Sequence, residues 1–253
     1  MNYKEVAVKA ASKAGEILKT NFYDQPFVEA KGVHDIVTRS DCQSEKVILD
    51  MLHEYFPDHT YIAEESGTQQ TDSEYTWYID PLDGTSNFAT GNPYFSVSIA
   101  LAYKGNIILG VVYNPMVNEL YLAEKGCGAF LNNMKIHVNK NHNLSDALIS
   151  SAFSGGDADI KHGLGTIEKL ALHSRKVVIN FSPALDLCNV ARGRMDAVVS
   201  KGTTPEDHAA GSLILTEAGG IVENFANRLW NVDETGIIAT NGWLQNLIAG
   251  LVR

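Results

Sequence analysis

Little in this chain of 253 residues marks a secreted, membrane-spanning or nucleic-acid-binding protein. Its three cysteines, Cys42, Cys127 and Cys188, are odd in number and widely spaced, which argues against a disulfide framework or a zinc cluster and fits a reducing compartment. Positive charge is scarce: 20 Lys and Arg face 30 Asp and Glu, a net charge of −10. No basic run follows the pattern that tracks a phosphate backbone, so a nucleic-acid partner is not expected. Apolar residues never run to membrane-spanning length, and Met1 leads into Asn2-Tyr3-Lys4-Glu5 without the basic and apolar regions of a signal peptide. Repeats, low-complexity tracts and long flexible linkers are likewise absent. These absences lead to the expectation of a cytoplasmic protein with a small partner, and neither nucleic acid nor membrane among its targets. What is present, 45% hydrophobic and 20% charged residues, suffices for a large core in a single domain over residues 1–253.

Hydrophobic periodicity divides the chain into a helix pair with an antiparallel sheet (1–145) and an alternating α/β half (146–253), a change of layers and not a hinge. Residues 3 to 22 place Val6, Ala10, Ala14, Ile17 and Leu18 on one helical face, and Ser40 to Tyr55 repeats the pattern with Val47, Ile48, Met51, Leu52 and Tyr55. Strands are predicted at Thr60 to Ala63, Trp77 to Ile79, Phe95 to Tyr103, Ile107 to Tyr113 and Glu119 to Glu124. Asn132-Asn133 reads as a hairpin turn before Ile136 to Val138. Then follow a strand at Ala147 to Ala152, a helix at Gly163 to His173, a strand at Lys176 to Ile179, a helix from Pro183 to Arg192 and a strand at Met195 to Ser200. A helix from Pro205 to Glu217, a strand at Ile237 to Ala239 and a helix from Trp243 complete the order.

The most telling stretch is Asp80-Pro81-Leu82-Asp83-Gly84-Thr85. An aromatic, β-branched strand runs into Asp80, Pro81 cannot continue the ladder, and Gly84 permits an unusual backbone conformation before Thr85 or Ser86 caps a helical turn. Oxygen-only ligands select hard cations such as Mg²⁺, and free amides at a helix start favour an anion. Alone, the pattern reads equally well as a capped turn that stops a strand. Glu64-Glu65-Ser66-Gly67 adds a paired-carboxylate turn upstream, and Pro205-Glu206-Asp207-His208-Ala209-Ala210-Gly211 an acid at a helix start, where Asp alone is usually a cap.

Taken together, Glu64-Glu65-Ser66, Trp77 to Phe88, and Asp207 to Gly211 with Glu217-Ala218-Gly219-Gly220 resemble the inositol monophosphatase family of Mg²⁺-dependent, lithium-sensitive sugar phosphatases. Lys31 to Asp41 looks like the family's mobile metal-binding loop and the helix start after it. The resemblance implies an α/β fold, the αβαβα sandwich of the inositol monophosphatase and fructose-1,6-bisphosphatase type, and commonly a homodimer. It implies two or three Mg²⁺: one held by Glu64, Asp80 and the Leu82 carbonyl, one by Asp80, Asp83 and Asp207, and a weaker third by Lys31 to Asp35 with Glu64. It makes Glu64, Thr85 and Asp83 catalytic and gives substrate contacts to Asp83, Gly84, Thr85, Ser182, Ser200 and Asp207. Metal-activated water would attack the phosphate directly, without a phosphoenzyme.

Substrate identity is where the pattern departs. The family's Arg-x-x-Gly-Ser-Ala-Ala stretch reads Val178-Ile179-Asn180-Phe181-Ser182-Pro183-Ala184 here, so the Arg and Gly are missing and Pro183 has no N–H to offer a sugar. Seven positions before Asp207 stands Ser200 in place of a Glu, and Glu206 stands where a Trp is usual. Inositol monophosphate or a related small sugar phosphate is the expected substrate. Fructose-1,6-bisphosphate, histidinol phosphate and nucleotide 3′-phosphates are alternatives, and a regulatory protein that keeps the pocket is the other class. His208 and His34 read as structural and solvated, respectively.

Overall fold

A computed structural model describes residues 1–23, 28–30, 36–153 and 156–253. The elements are α1 (Tyr3–Asn21), β1 (Val28–Ala30), β2 (Ile36–Thr38), α2 (Arg39–Tyr55), β3 (Thr60–Ala63), β4 (Gly67–Gln69), β5 (Tyr75–Asp83) and α3 (Thr85–Ala89). There follow β6 (Ser96–Tyr103), β7 (Asn106–Asn114), β8 (Glu119–Glu124), β9 (Gly128–Leu131), β10 (Met134–Lys135), β11 (Leu148–Phe153) and α4 (Asp157–His173). The chain ends with β12 (Lys176–Val178), α5 (Pro183–Ala191), β13 (Ala197–Lys201), α6 (Pro205–Glu217), β14 (Ile221–Glu223), β15 (Ile237–Thr240) and α7 (Gln245–Val252).

Side-chain alternation along the strands builds the layers. One sheet has eight strands in the order β10-β9-β8-β7-β6-β5-β3-β4, and the other five in the order β12-β11-β13-β15-β14. On β5, Trp77 and Ile79 face α1 and α2, in a core with Val6, Ala10, Leu18, Ile48 and Leu52. Tyr78 points the opposite way, into a middle core with Leu187 of α5 and Ala210 and Ile214 of α6. Val198 and Ala239 reach that middle core from the five-stranded sheet, whereas Val199 and Ile238 face outward onto Leu170 of α4 and Ile248 of α7. The sequence of layers is therefore α1/α2, sheet, α5/α6, sheet, α4/α7, an αβαβα sandwich. No helix among the described residues is long and apolar enough to cross a membrane.

Several expectations are corrected. The β5 ladder does not end at Pro81; it skips there and resumes at Asp83, which pairs with Ser96. α4 starts at Asp157, ahead of Gly163, because Asp157 and Asp159 make a favourable first turn. Asn132 and Asn133 take the positive φ values of a tight hairpin, +47° and +66°, but the returning strand is Met134–Lys135 and not Ile136 to Val138. Strands β1, β2, β4 and β14 are three residues each, too short to show a period. Tyr55, expected on the buried face of α2, is exposed at its end.

Candidate active site

The acids of the central motif converge because the strand that carries them is irregular. In a regular strand, residues three apart face opposite sides of the sheet. Here Asp80 pairs with Ser98 and Asp83 with Ser96, so three steps along β5 match two along β6. That extra residue is a bulge at Pro81-Leu82, where proline has no N–H for the ladder. It turns both carboxylates to one side, and the Leu82 amide donates back to Asp80 Oδ1 at 2.9 Å. Asp207 arrives from the first turn of α6, which crosses β7 so closely that a Cβ on Gly110 would lie 2.6 Å from the Ala210 carbonyl. Ser98 of β6 also donates to the Glu206 carbonyl, 3.3 Å away, fixing the start of that helix.

The outcome is a cluster in which one oxygen each of Asp80, Asp83 and Asp207 lies within 4.8 Å of the others. Asp80 and Asp83 are each only 2% exposed. Burial pushes the Asp80 carboxyl well above its ordinary range, and neighbouring Glu64, Asp83 and Asp207 push it further. Burial does the same to Asp83, opposed by the Ser182 hydrogen bond and reinforced by Asp207. Three buried or half-buried carboxylates without a cation are costly, and oxygen donors alone suit a hard divalent ion. Glu64, which follows β3, is a hydrogen-bonding neighbour of Asp80. Asp207 is at once a cluster member and a cap, since its Oδ2 accepts from the Thr204 amide at 2.7 Å.

A polar stripe on α2 supports these loops. Asp41, Ser44 and Glu45 are all buried, at the spacing of one helical face. Asp41 Oδ1 accepts from the Thr85 hydroxyl at 3.0 Å, Ser44 donates to the Pro81 carbonyl at 2.8 Å, and Glu45 Oε2 accepts from the Glu65 amide at 2.8 Å. Thr85 also lies 3.1 Å from the Leu82 carbonyl, so its single proton has two acceptors. Thr85 does not cap α3; the N-cap is Gly84 in the left-handed conformation, φ 101°, with no side-chain bond. A Cβ there would approach the Tyr94 and Phe181 carbonyls at 3.1 and 3.2 Å, so glycine is required twice over.

Ser182 and Ser200, expected to touch substrate, are both turned inward. Ser182 is buried and donates to Asp83 Oδ2 at 2.5 Å; Ser200 is buried and pairs with the Thr203 hydroxyl at 3.1 Å. Pro183 starts α5, and the amide after it, Ala184 N, donates to Asp83 Oδ2 at 3.1 Å. Lys31, His34 and Asp35, the expected loop residues, lie outside the described residues. His208 is fully buried against Thr203 and Trp230, and burial lowers its pKa to about 3, so it is a neutral core group. Asp186, a buried acid in an apolar-looking helix, escapes sequence reasoning, and Asp41, placed by it only at the helix start after the loop, is found in a capping box with Thr38.

The sequence profile of the inositol monophosphatase family matches residues 2–253. The chain belongs to that family. It is 38% identical over 252 residues to inositol monophosphatase 2 of Solanum lycopersicum, covering 96% of this chain and 95% of the relative. It is 41% identical over 224 residues to the Nus factor SuhB of Escherichia coli K12, covering 87% and 84%. Its structure matches that of the inositol monophosphatase of Thermotoga maritima with a TM-score of 0.90 at 35% identity, covering 100% of this chain and 97% of the other. The extragenic suppressor protein SuhB of Bartonella henselae matches with a TM-score of 0.94 at 33% identity, covering 98% and 97%. As a member of the inositol monophosphatase family the protein is a phosphomonoesterase.

Proposed function

We propose that the chain hydrolyses inositol monophosphate or a related small sugar phosphate with Mg²⁺, by direct attack of water on phosphorus. The observation that carries this reading is the convergence of Asp80, Asp83 and Asp207 within 4.8 Å, with Glu64 against Asp80. Glu64, Asp80 and the Leu82 carbonyl would hold one cation, and Asp80, Asp83 and Asp207 a second. When bound, the cations supply Lewis-acid neutralisation of the phosphate charge and acidify nearby water.

The chain's own groups do the rest. Thr85 and Glu64 accept hydrogen bonds from the attacking water and set its lone pair towards phosphorus. The water's proton passes to Thr85 Oγ1 as the Thr85 proton passes to Asp41 Oδ1, the acceptor 3.0 Å away. Amides at the start of α3 orient the phosphate. The P–O ester bond then breaks, and the leaving alkoxide takes a proton from water beside Asp207. No serine or cysteine nucleophile is needed, so no phosphoenzyme forms.

Phosphate release from a panel of sugar phosphates, with and without Mg²⁺ and with Li⁺ added, tests the reading. Mg²⁺-dependent, Li⁺-inhibited release supports it; no Mg²⁺-dependent release from any ester sinks it. A second reading, a regulatory role through a partner surface, is favoured by the name Nus factor that the Escherichia coli relative carries. In that case Asp83→Asn would abolish hydrolysis and leave the regulatory effect. We further propose one unit working as a cytoplasmic homodimer. The middle core shared by both halves supports the single unit, the three free cysteines support a reducing setting, and the mass in solution tests the dimer.

A further inference from the structure

Phe181 puts a bulky side chain at a backbone position that favours glycine. Its φ is +54°, in the left-handed region where a Cβ is crowded. The residue is 59% exposed. Such strain persists only where the surroundings over-determine the backbone, and it gathers at ligand sites. Both neighbours of Phe181 are pinned to the site. The Asn180 carbonyl accepts from Asn87 of α3 at 2.7 Å, and its amide donates to buried Asp186 at 2.7 Å. Ser182 donates to Asp83 at 2.5 Å. The Phe181 carbonyl itself abuts Gly84, beside the acidic cluster.

The polar groups of this wall face inward. The Asn180 amide, the Ser182 hydroxyl and the Ala184 amide are bound to Asp186 or Asp83, Pro183 has no N–H, and Ser200 is buried against Thr203. These described wall groups are thus committed to buried partners and not to a substrate's hydroxyls, and an unmatched polar group weakens binding. A flat π face meets an exposed phenyl ring.

We infer that Phe181 is a stacking platform that selects phosphate esters whose leaving group carries a flat unsaturated ring, nucleosides being the representative case. The inference rests on the phosphomonoesterase reading and narrows its substrate class.

The test compares wild type with Phe181→Ala, Phe181→Gly and Phe181→Trp, using Mg²⁺ and four esters: adenosine 3′-phosphate, adenosine 5′-phosphate, inositol 1-phosphate and glycerol 2-phosphate. The ratio of kcat/KM for the better adenosine ester over glycerol 2-phosphate should fall about tenfold in both Phe181→Ala and Phe181→Gly, chiefly through KM, as loss of one base stack implies. Phe181→Trp should restore it. Because glycine relieves the backbone strain, a loss shared by alanine and glycine belongs to the ring. Any of four results overturns the inference: an unchanged ratio, Phe181→Trp behaving like alanine, an equal fall for inositol 1-phosphate, or a changed mass in solution with the ratio kept. If wild type cleaves glycerol and inositol esters but neither adenosine ester, this inference fails while the phosphatase reading stands. Release from none of the four removes both.

Discussion

Asp83 and Asp186 are two buried carboxylates of the same middle layer, each accepting three hydrogen bonds, and the donors fall on them differently. All three donors to Asp83, namely Ser96, Ser182 and the Ala184 amide, fall on Oδ2. Asp186 receives Tyr94 and Asn180 on Oδ1 and Ser150 on Oδ2. Asp186 is thus satisfied by its own neighbours on both oxygens. Asp83 is held firmly by one oxygen and stands within a cluster of like charges. On the proposed reading, how donors are distributed over a carboxylate, and not how many there are, separates a structural acid from one arranged for a cation.

Substitution should break this comparison in a graded way. The largest effect is expected for Asp83→Asn, which removes a cluster charge while keeping shape. Hydrolysis should fall by roughly a thousandfold, about 4 kcal/mol of barrier, as steady-state phosphate release would show. Next come Asp41→Asn and Thr85→Val, which interrupt the proposed proton path from water. Each should lower kcat by about a hundredfold, with KM changed far less. If both variants turn over as wild type does, Asp41 and Thr85 are only structural.

Asp186→Asn should act on stability instead. Its new amide meets the donors that formerly pointed at an oxygen, a cost of about 2 kcal/mol by urea unfolding. A stability loss in Asp83→Asn equal to that in Asp186→Asn would erase the distinction between the two acids.

The smallest effect concerns pH. Burial, then neighbouring carboxylates, raise the Asp80 pKa, and Asp83 is raised as well. A carboxyl with a raised folded pKa binds more protons folded than unfolded. The metal-free protein is therefore expected to lose stability as pH climbs above the unfolded value of about 3.9. Its Tm should drop by about 3 °C or more across that rise, equivalent to about 1 kcal/mol. Saturating Mg²⁺ should reverse the trend. A Tm that rises with pH in the metal-free protein would contradict the expected protonation of the cluster.

Much of the site was legible in the sequence where a residue type and its spacing carry local meaning. The α1 face, the strand leading into Asp80 and the α6 start at Pro205 are of this kind. Three things were not legible because they depend on register or on distant partners. The bulge at Pro81-Leu82 is a mismatch between two strands, invisible in either strand alone. The stripe of Asp41, Ser44 and Glu45 looks like the polar side of an amphipathic helix, yet it is buried because the Pro81–Thr85 stretch and the turn at Glu65 lean on it. Ser182 could be placed near the site, but its 2.5 Å bond to Asp83, 99 residues away in the chain, could not be read from sequence.

The distribution of donors over the two acids is tested most directly by calorimetric titration of Mg²⁺ into wild type, Asp83→Asn and Asp186→Asn, each confirmed folded by circular dichroism. Wild type and Asp186→Asn should bind Mg²⁺ with similar affinity, and Asp83→Asn should bind at least about tenfold more weakly. Equal Mg²⁺ affinity in Asp83→Asn and wild type would contradict the account.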